Sequence, residues 1–287
     1  MFDWDNMRYF AIFARERSLS AAARLLKVDH ATIARRIAAL EISLNLKLVD
    51  RRPRSYVLTV DGERIAALGA RMEDEAFAVG RAAKAGQQVI AGEISISAPP
   101  AMATALIAPR LGKLRQQYPG IHIRLIGETR IASLHREADL AVRLSRPAEA
   151  ELVTRKIGTV VFSLYASPAY LDLHSSEAFE FIAYDDSMED SAQQRWLKKN
   201  AGARPIVLRT NNLETQRAAA RASVGIAALP YFLGDRDAGL QRLETDEEGL
   251  TRDVWLAVHG DLRNTPAVRA AMDFLIDCFQ EERSPQD

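Results

Sequence analysis

Along the first sixty residues the apolar positions fall into three short helical stripes. Met7, Phe10, Ala11 and Ala14 recur at i, i+3, i+4 and i+7, which predicts an amphipathic helix over residues 5–16. Ser18-Leu19-Ser20 interrupts the stripe, and Ser20 is a suitable N-cap for a second helix over Ala21–Leu26. Lys27-Val28-Asp29 reads as a tight turn, with Asp29 placed to cap a third helix that buries Ile33, Ile37, Leu40 and Leu44. Asn45 can end that helix in a left-handed conformation. Leu46–Val49 and Tyr56–Thr59 then read as short strands around a loop at 50–55. Thr59 caps a longer helix, with Asp61 in its first turn. Along it Ile65, Leu68, Met72, Ala76, Val79 and Ala83 alternate at spacings of three and four.

Beyond the linker Gly86–Gly92 the pattern changes to alternating strands and helices. Glu93–Ala98 reads as a strand, followed by a helix carrying Leu106, Leu111, Leu114 and Tyr118, which Pro119-Gly120 stops. Strands at Ile121–Ile126 and Asp139–Leu144 flank a short helix ending near Arg136. A second unit runs through Val161–Ala166, Phe179–Tyr184, a helix around Trp196, Pro205–Arg209, a helix from Leu213 to Ser223, and Val224–Leu229. A strand at Val254–Val258 and a helix over Pro266–Phe279 follow. This alternation predicts an α/β fold with a parallel sheet and helical crossovers.

Composition bounds the class. The 287 residues suit two domains, and 48% hydrophobic with 26% charged residues is globular rather than disordered. The opening MFDWDNMRYF carries acids and no apolar run, so no signal peptide is expected, and no apolar stretch is long enough for a membrane span. The one cysteine, Cys278, has no internal partner and lies on the apolar stripe of the last helix, which fits a buried thiol in a reducing, cytoplasmic setting.

Net charge is zero, yet residues 1–60 hold eleven Lys/Arg against six Asp/Glu. That asymmetry suits a basic DNA reader joined to an acidic remainder, although a solvated basic surface would look the same. Two helices joined by so short a turn form a helix-turn-helix, with a generic bundle as the alternative. The residues off the stripe at the start of the third helix are His30, Ala31, Thr32, Arg35 and Arg36. They supply forked donors for guanine, a hydroxyl and a methyl-sized contact for thymine. With Ser20 they are the candidate DNA contacts. The 50–55 loop adds a β-wing with Arg51, Arg52 and Arg54, placed to grip phosphate or minor groove, or else facing solvent. Residues Ile65, Leu68, Met72, Ala76 and Val79 form the expected dimerisation seam, as in a coiled coil; packing on the chain's own C-terminal domain is the alternative.

Residues 7–65 resemble the N-terminal domain of the LysR-type transcriptional regulators. The resemblance rests on Ser18–Leu26 (SLSAAARLL), Val28–Glu41 (VDHATIARRIAALE), Leu48–Arg52 (LVDRR) and Leu58–Gly62 (LTVDG). Asp29–Arg35 (DHATIAR) stands where the family often has a Ser-Gln-Pro-Ala-Val-Ser-Arg run, and Asn45 where it usually has glycine. Gly92–Ala98, Leu106–Ile123, Leu134–Arg143, Leu164–Leu171, Val224–Pro230 and Val254–Leu275 resemble the family's effector domain. The resemblance implies a winged helix-turn-helix over 1–60, a linker helix and hinge over 61–91, and a two-lobed periplasmic-binding-protein-like effector domain over 92–287. Lobe I is expected over 92–160 and 262–287 and lobe II over 161–261, with crossings near Gly158–Phe162 and Gly260–Arg263. The implied protein is a homodimer or homotetramer on double-stranded DNA with two-fold symmetry, controlled by a small-molecule effector. RNA polymerase stands as a further candidate partner.

The effector residues expected from strand ends and helix N-termini are Pro100, Ala101 and Met102; Gly127, Glu128 and Thr129; and Thr210, Asn211 and Asn212. Helix N-termini favour an anion, so a carboxylate is the expected ligand. The family often places a serine or threonine on the first loop, and the apolar Pro99–Met102 there points to an acid with a substantial apolar body. Thr129, Thr210, Asn211 and Asn212 could equally cap their own helices. No metal-ligand spacing links the five histidines, and no nucleophile elbow, phosphate loop or CxxC occurs, so neither catalysis nor a cofactor is expected. The competing reading is an enzyme or transport-type binding domain fused to a DNA anchor.

Overall fold

The computed structural model describes residues 3–52, 55–86, 89–127, 138–244 and 249–280. Two compact units emerge, Met1–Ala83 and Lys84–Asp287. In the first, α1 (Trp4–Glu16), α2 (Leu19–Leu26) and α3 (His30–Leu44) are followed by strands β1 (Val49–Arg52) and β2 (Ser55–Leu58) and by the long helix α4 (Val60–Ala85). Phe10, Phe13, Ile33, Ile37, Leu40 and Leu48 fill its core.

The caps explain most of these boundaries. Asp29 accepts from the Thr32 amide at 2.6 Å, Asn45 ends α3 at φ 50°, and Thr59 Oγ1 accepts from the Gly62 amide at 2.9 Å. Helix α2 departs from expectation. Its cap is Ser18, which accepts from the Ala21 amide, so Ser20 lies exposed in the first turn instead. The wing also departs. Val49 pairs with Leu58 and Arg52 with Ser55, so Arg51 and Arg52 belong to a strand rather than to a loop. Arg54 lies outside the described residues.

In the second unit β3 (Gly92–Ala98) runs parallel to β4 (Ile121–Gly127) and β5 (Leu140–Arg143). Between β3 and β4 the helix is not continuous. It passes from Pro100–Met102 through a π turn (Ala103–Ile107) and a 3-10 turn (Ala108–Arg110) into α5 (Leu111–Gln117). Pro109 is the cause, since it has no N–H and its ring would strike the carbonyl four residues back. Arg110 Nη1 donates to the Leu106 carbonyl at 2.9 Å, satisfying one acceptor there. The expected helix ending near Arg136 lies outside the described residues.

Strand β6 (Leu152–Ala166) precedes α6 (Pro168–Leu173), β7 (Phe181–Ala183), α7 (Ala192–Ala201), β8 (Ile206–Arg209), α8 (Leu213–Arg221) and β9 (Ile226–Pro230). The short β10 (Gln241–Arg242), then β11 (Leu250–His259) and α9 (Pro266–Gln280), follow. The sheet order is β4-β3-β5-β11-β6-β9-β7-β8, with β10 beside β6. Strand β7 is parallel to β8 and β9, which gives a second parallel group. The two groups form the two lobes of this α/β unit.

β6 and β11 join them. They run antiparallel from Leu250↔Phe162 to His259↔Leu152, with a register shift that skips Ile157. Near its end β11 pairs β5 through Trp255–Val258, whereas β6 pairs β9 through Phe162–Tyr165. The return crossing therefore runs inside β11 rather than after it at 260–263. Adjacent residues of lobe II strands face opposite layers: Leu164, Phe181 and Ile226 pack in one core, Tyr165, Ile182 and Ala227 in another. At the start of the unit the Lys84 ammonium sits 3.0 Å from both Asp139 oxygens, and Asp139 also accepts from the amide and hydroxyl of Ser95.

Candidate functional site

The helix-turn-helix presents a shallow hollow lined by Ser20, Ala23, Arg24, Lys27, Val28, Asp29, His30 and Ala31. Three expected contacts, Ser20, His30 and Ala31, therefore share one face. Arg24 and Lys27 join them, although neither breaks the apolar pattern in a way that marks it in the sequence. Arg35 is exposed and Thr32 half-buried on the first turns of α3. Arg36 is engaged with α1. Its guanidinium lies over the Tyr9 ring at 5.5 Å, and Nη1 donates to Asn6 Oδ1 at 3.2 Å, so it staples α3 to α1. Arg51 is likewise engaged within the unit, with Nη2 3.4 Å from Glu41 Oε2. The other Glu41 oxygen accepts from the Leu48 and Val49 amides at 2.8 and 3.0 Å, tying the recognition helix to the wing.

Helix α4 has two unlike faces. A Cβ on Gly69 would stand 3.1 Å from Met7 Sδ and 3.3 Å from Ala11 Cβ, so α1 crosses there. Ile65 and Ala66 pack against the same core, which removes Ile65 from the free seam. A stripe beside that contact carries Leu68 (40% exposed), Met72 (38%) and Val79 (72%), together with exposed Ala76.

Between the lobes lies a cleft of about 340 Å³. Of the expected effector residues, Pro100, Ala101, Asn211 and Asn212 line it. Met102 does not; it is 2% exposed in the lobe I core. Gly127 ends β4 with Pro100 beside it and is not part of the lining, and Glu128 and Thr129 lie outside the described residues. Thr210 Oγ1 accepts from the Asn212 amide at 3.3 Å, and Asn212 caps α8 by accepting from the Glu214 and Thr215 amides. The amides expected to hold an anion there are thus already engaged by the chain's own cap.

Cations replace them. Arg143, Arg195 and Arg252 all line the cleft, from β5, α7 and β11. Arg143 Nη2 donates to Ser97 Oγ at 3.0 Å and Arg252 Nη2 to the Leu144 carbonyl at 2.7 Å. Arg195 donates to the Asp190 carbonyl. Burial first, and the Arg195 cation second, hold Arg252 below the ordinary guanidinium range. No ion pair to Arg195 or Arg252 occurs among the described residues. Pro99, Leu144, Phe162, Tyr184 and Met188 give the cleft its apolar walls. These groups come together only in the fold, so no local spacing announces them.

Among the described residues no helix is long and apolar enough to cross a membrane, and no group of three or more His, Cys, Asp or Glu side chains could hold a metal. Cys278 is buried.

A helix-turn-helix on the same chain as a two-lobed cleft domain is the build of a transcription regulator that senses a small molecule. Residues 4–63 match the family described as bacterial regulatory helix-turn-helix protein, lysR family, and residues 87–280 match the LysR substrate binding domain; the chain belongs to the LysR family of transcriptional regulators. It is 26% identical over 288 residues to the Mau operon transcriptional activator of Paracoccus denitrificans, covering 97% of each chain. It is 24% identical over 286 residues to the regulator CrgA of Neisseria meningitidis serogroup B, covering 95% of this chain and 96% of that one. The full-length structure of the Vibrio cholerae virulence activator AphB shares the fold, with a TM-score of 0.64, 24% identity and coverage of 96% and 99%. These relatives are regulators rather than enzymes.

Proposed function

We propose that this LysR-type regulator works in the cytoplasm as a homodimer or a pair of homodimers on a two-fold operator, under control of a carboxylate-bearing effector bound between its lobes. The observation that carries the ligand reading is the Arg195–Arg252 pair: two cations within Coulomb range, one half-buried, in a cleft with largely apolar walls. Like charges held together in low dielectric call for a counter-anion. A carboxylate accepts a guanidinium fork bidentately, and the apolar walls take the rest of the molecule. Calorimetry of the full-length protein with aliphatic and aromatic carboxylates, beside their amides, tests this. Arg252→Gln should lower carboxylate affinity roughly ten- to hundredfold, the range for a charge-assisted hydrogen bond. Binding of amides but not of carboxylates would remove the anion from the reading.

On DNA, His30 and Arg35 are the proposed base readers, because both are exposed at the start of α3. Arg35→Ala should cost about 1–3 kcal/mol on the operator and flatten preference at one position. Equal losses on operator and random DNA, in a gel-shift titration at fixed salt, would make Arg35 a phosphate contact only. The proposed regulation is a shift in pose: an effector that closes the lobes favours one arrangement of the two effector domains, and with it one spacing of the paired DNA readers. RNA polymerase is a proposed further contact of the DNA-bound assembly.

A further inference from the structure

Most polar side chains around the cleft have partners among the described residues, and of those without one, Ser145, Asp190 and Asn211 are exposed. Gln193 Nε2 donates to the Ala228 carbonyl at 2.7 Å, Glu214 pairs with Arg217 at 2.9 Å, Asn212 caps α8, and Arg143 and Arg252 donate to Ser97 and Leu144. Tyr184 differs. It lines the cleft, is only 7% exposed, and its hydroxyl has no hydrogen-bond partner among the described residues. The ring is buried while the hydroxyl end opens on the cleft, so a ligand that fills the cleft and displaces its water must supply the partner. Burial also pushes the phenol well above its ordinary range, so it remains an O–H donor at any physiological pH.

The residue is also held in place. Its amide donates to Gln194 Oε1 at 3.0 Å and its carbonyl accepts from Gln194 Nε2 at 3.3 Å. Gln194 is fully buried, and its own amide is fixed by the Ser191 hydroxyl at 3.1 Å. One side-chain amide thus pins both backbone groups of Tyr184, while the ring is packed on all but its cleft side. A donor fixed in this way loses little freedom on meeting an acceptor.

We propose that Tyr184 is the specificity-determining residue of the cleft, its hydroxyl donating to a second oxygen of the effector, so that the ligand is an oxygenated carboxylic acid (a hydroxy, keto or ring-oxygen acid) and not a plain hydrocarbon acid. The proposal rests on the carboxylate reading above. A cleft built to hydrogen-bond a ligand oxygen discriminates strongly against the analogue lacking it, since the buried phenol is then left unsatisfied.

The test uses full-length protein, wild type and Tyr184→Phe, with benzoate against 3- and 4-hydroxybenzoate and hexanoate against 6-hydroxyhexanoate. Affinities come from calorimetry, and circular dichroism checks that the near-isosteric variant folds. Wild type should prefer the oxygenated member of a pair by about tenfold or more. Tyr184→Phe should bring that ratio close to one, by weakening the oxygenated member and retaining or raising benzoate or hexanoate affinity. An unchanged ratio overturns the proposal, and so does an equal loss on both members, which would place the hydroxyl on the carboxylate itself. Benzamide against 4-hydroxybenzamide separates the two readings: a Tyr184-dependent ratio in the amides without carboxylate binding sinks the anion reading alone. No binding by any of these probes counts against both.

Discussion

Met72→Glu should leave folded subunits that sediment as monomers and bind the operator at least about a hundredfold more weakly than the parent protein. Met72 is 38% exposed on the stripe of α4 that flanks the α1 contact, in line with Leu68 and Val79. Its side chain carries little of the subunit's own core, so the charge does not unfold the chain. In a pair of α4 helices the same position faces the partner, and a carboxylate there is buried without a counter-charge, at a cost of about 3–5 kcal/mol. Losing the pair makes each DNA half-site bind alone and forfeits the effective-concentration gain of roughly 10²–10⁴. Analytical ultracentrifugation with a parallel gel-shift titration reads both effects. A variant that stays dimeric with normal affinity would remove this seam from the assembly.

The second large effect concerns Gly62. A methyl group there would stand 2.1 Å from the Leu48 carbonyl oxygen and 3.3 Å from Leu58 Cβ. Leu48 is fully buried and its oxygen accepts from the Thr59 amide at 3.0 Å, so no side-chain rotation relieves the contact. Gly62→Ala should therefore cost the N-terminal unit about 3 kcal/mol or more, beyond the usual range for overpacking because the obstacle is backbone. For a unit of this size that lowers the melting temperature by more than about 10 °C. Gly80, on the same helix with nothing within 4 Å of an added Cβ, is the internal control. Gly80→Ala should raise stability by roughly 0.5–1 kcal/mol through helix propensity alone. Thermal melts of the two variants that coincide with the parent's would show that the Leu48–Gly62 contact relaxes freely.

The N-terminal unit was largely legible because its boundaries are set by neighbouring residues. Asp29, Asn45 and Thr59 end or begin their helices through bonds spanning only a few positions. Ser18 and Ser20 show where local reading fails. Either serine can cap a helix, and the choice falls to Ser18, which takes Leu19 into the helix and onto the core. The wing misleads for a related reason. Its arginines look like loop residues, but strand pairing is decided by the partner strand, and Tyr56 faces Arg51. The contacts of Arg36 to Tyr9 and Asn6 join helices thirty positions apart, which no local spacing reveals.

In the C-terminal unit the helices and parallel strands followed the apolar pattern, while the crossing strands did not. The first half of β6 has exposed Arg155 and Lys156 and a glycine at 158, so it lacks a strand's apolar run; its pairing with β11 makes it one. The cleft was legible only where a loop follows a strand, as at Pro100 and Ala101. Its three arginines come from distant elements, and Tyr184 gains its meaning from burial and from Gln194, which no spacing reveals.

The shared strands bear on how such a protein can diversify. Because β11 pairs β5 of one group, β6 pairs β9 of the other, and β6 and β11 pair each other along their length, neither lobe is a closed stretch of chain with a sheet of its own. A recombination that joined one lobe of this chain to the other lobe of a relative would cut through both strands and need the skipped Ile157 in phase at each junction. Most such chimaeras would lose the pairing that holds the sheet together. New ligand preference is therefore reached most readily by point changes among the cleft-lining residues, whereas the DNA-reading unit, one uninterrupted segment, can be inherited or exchanged as a block.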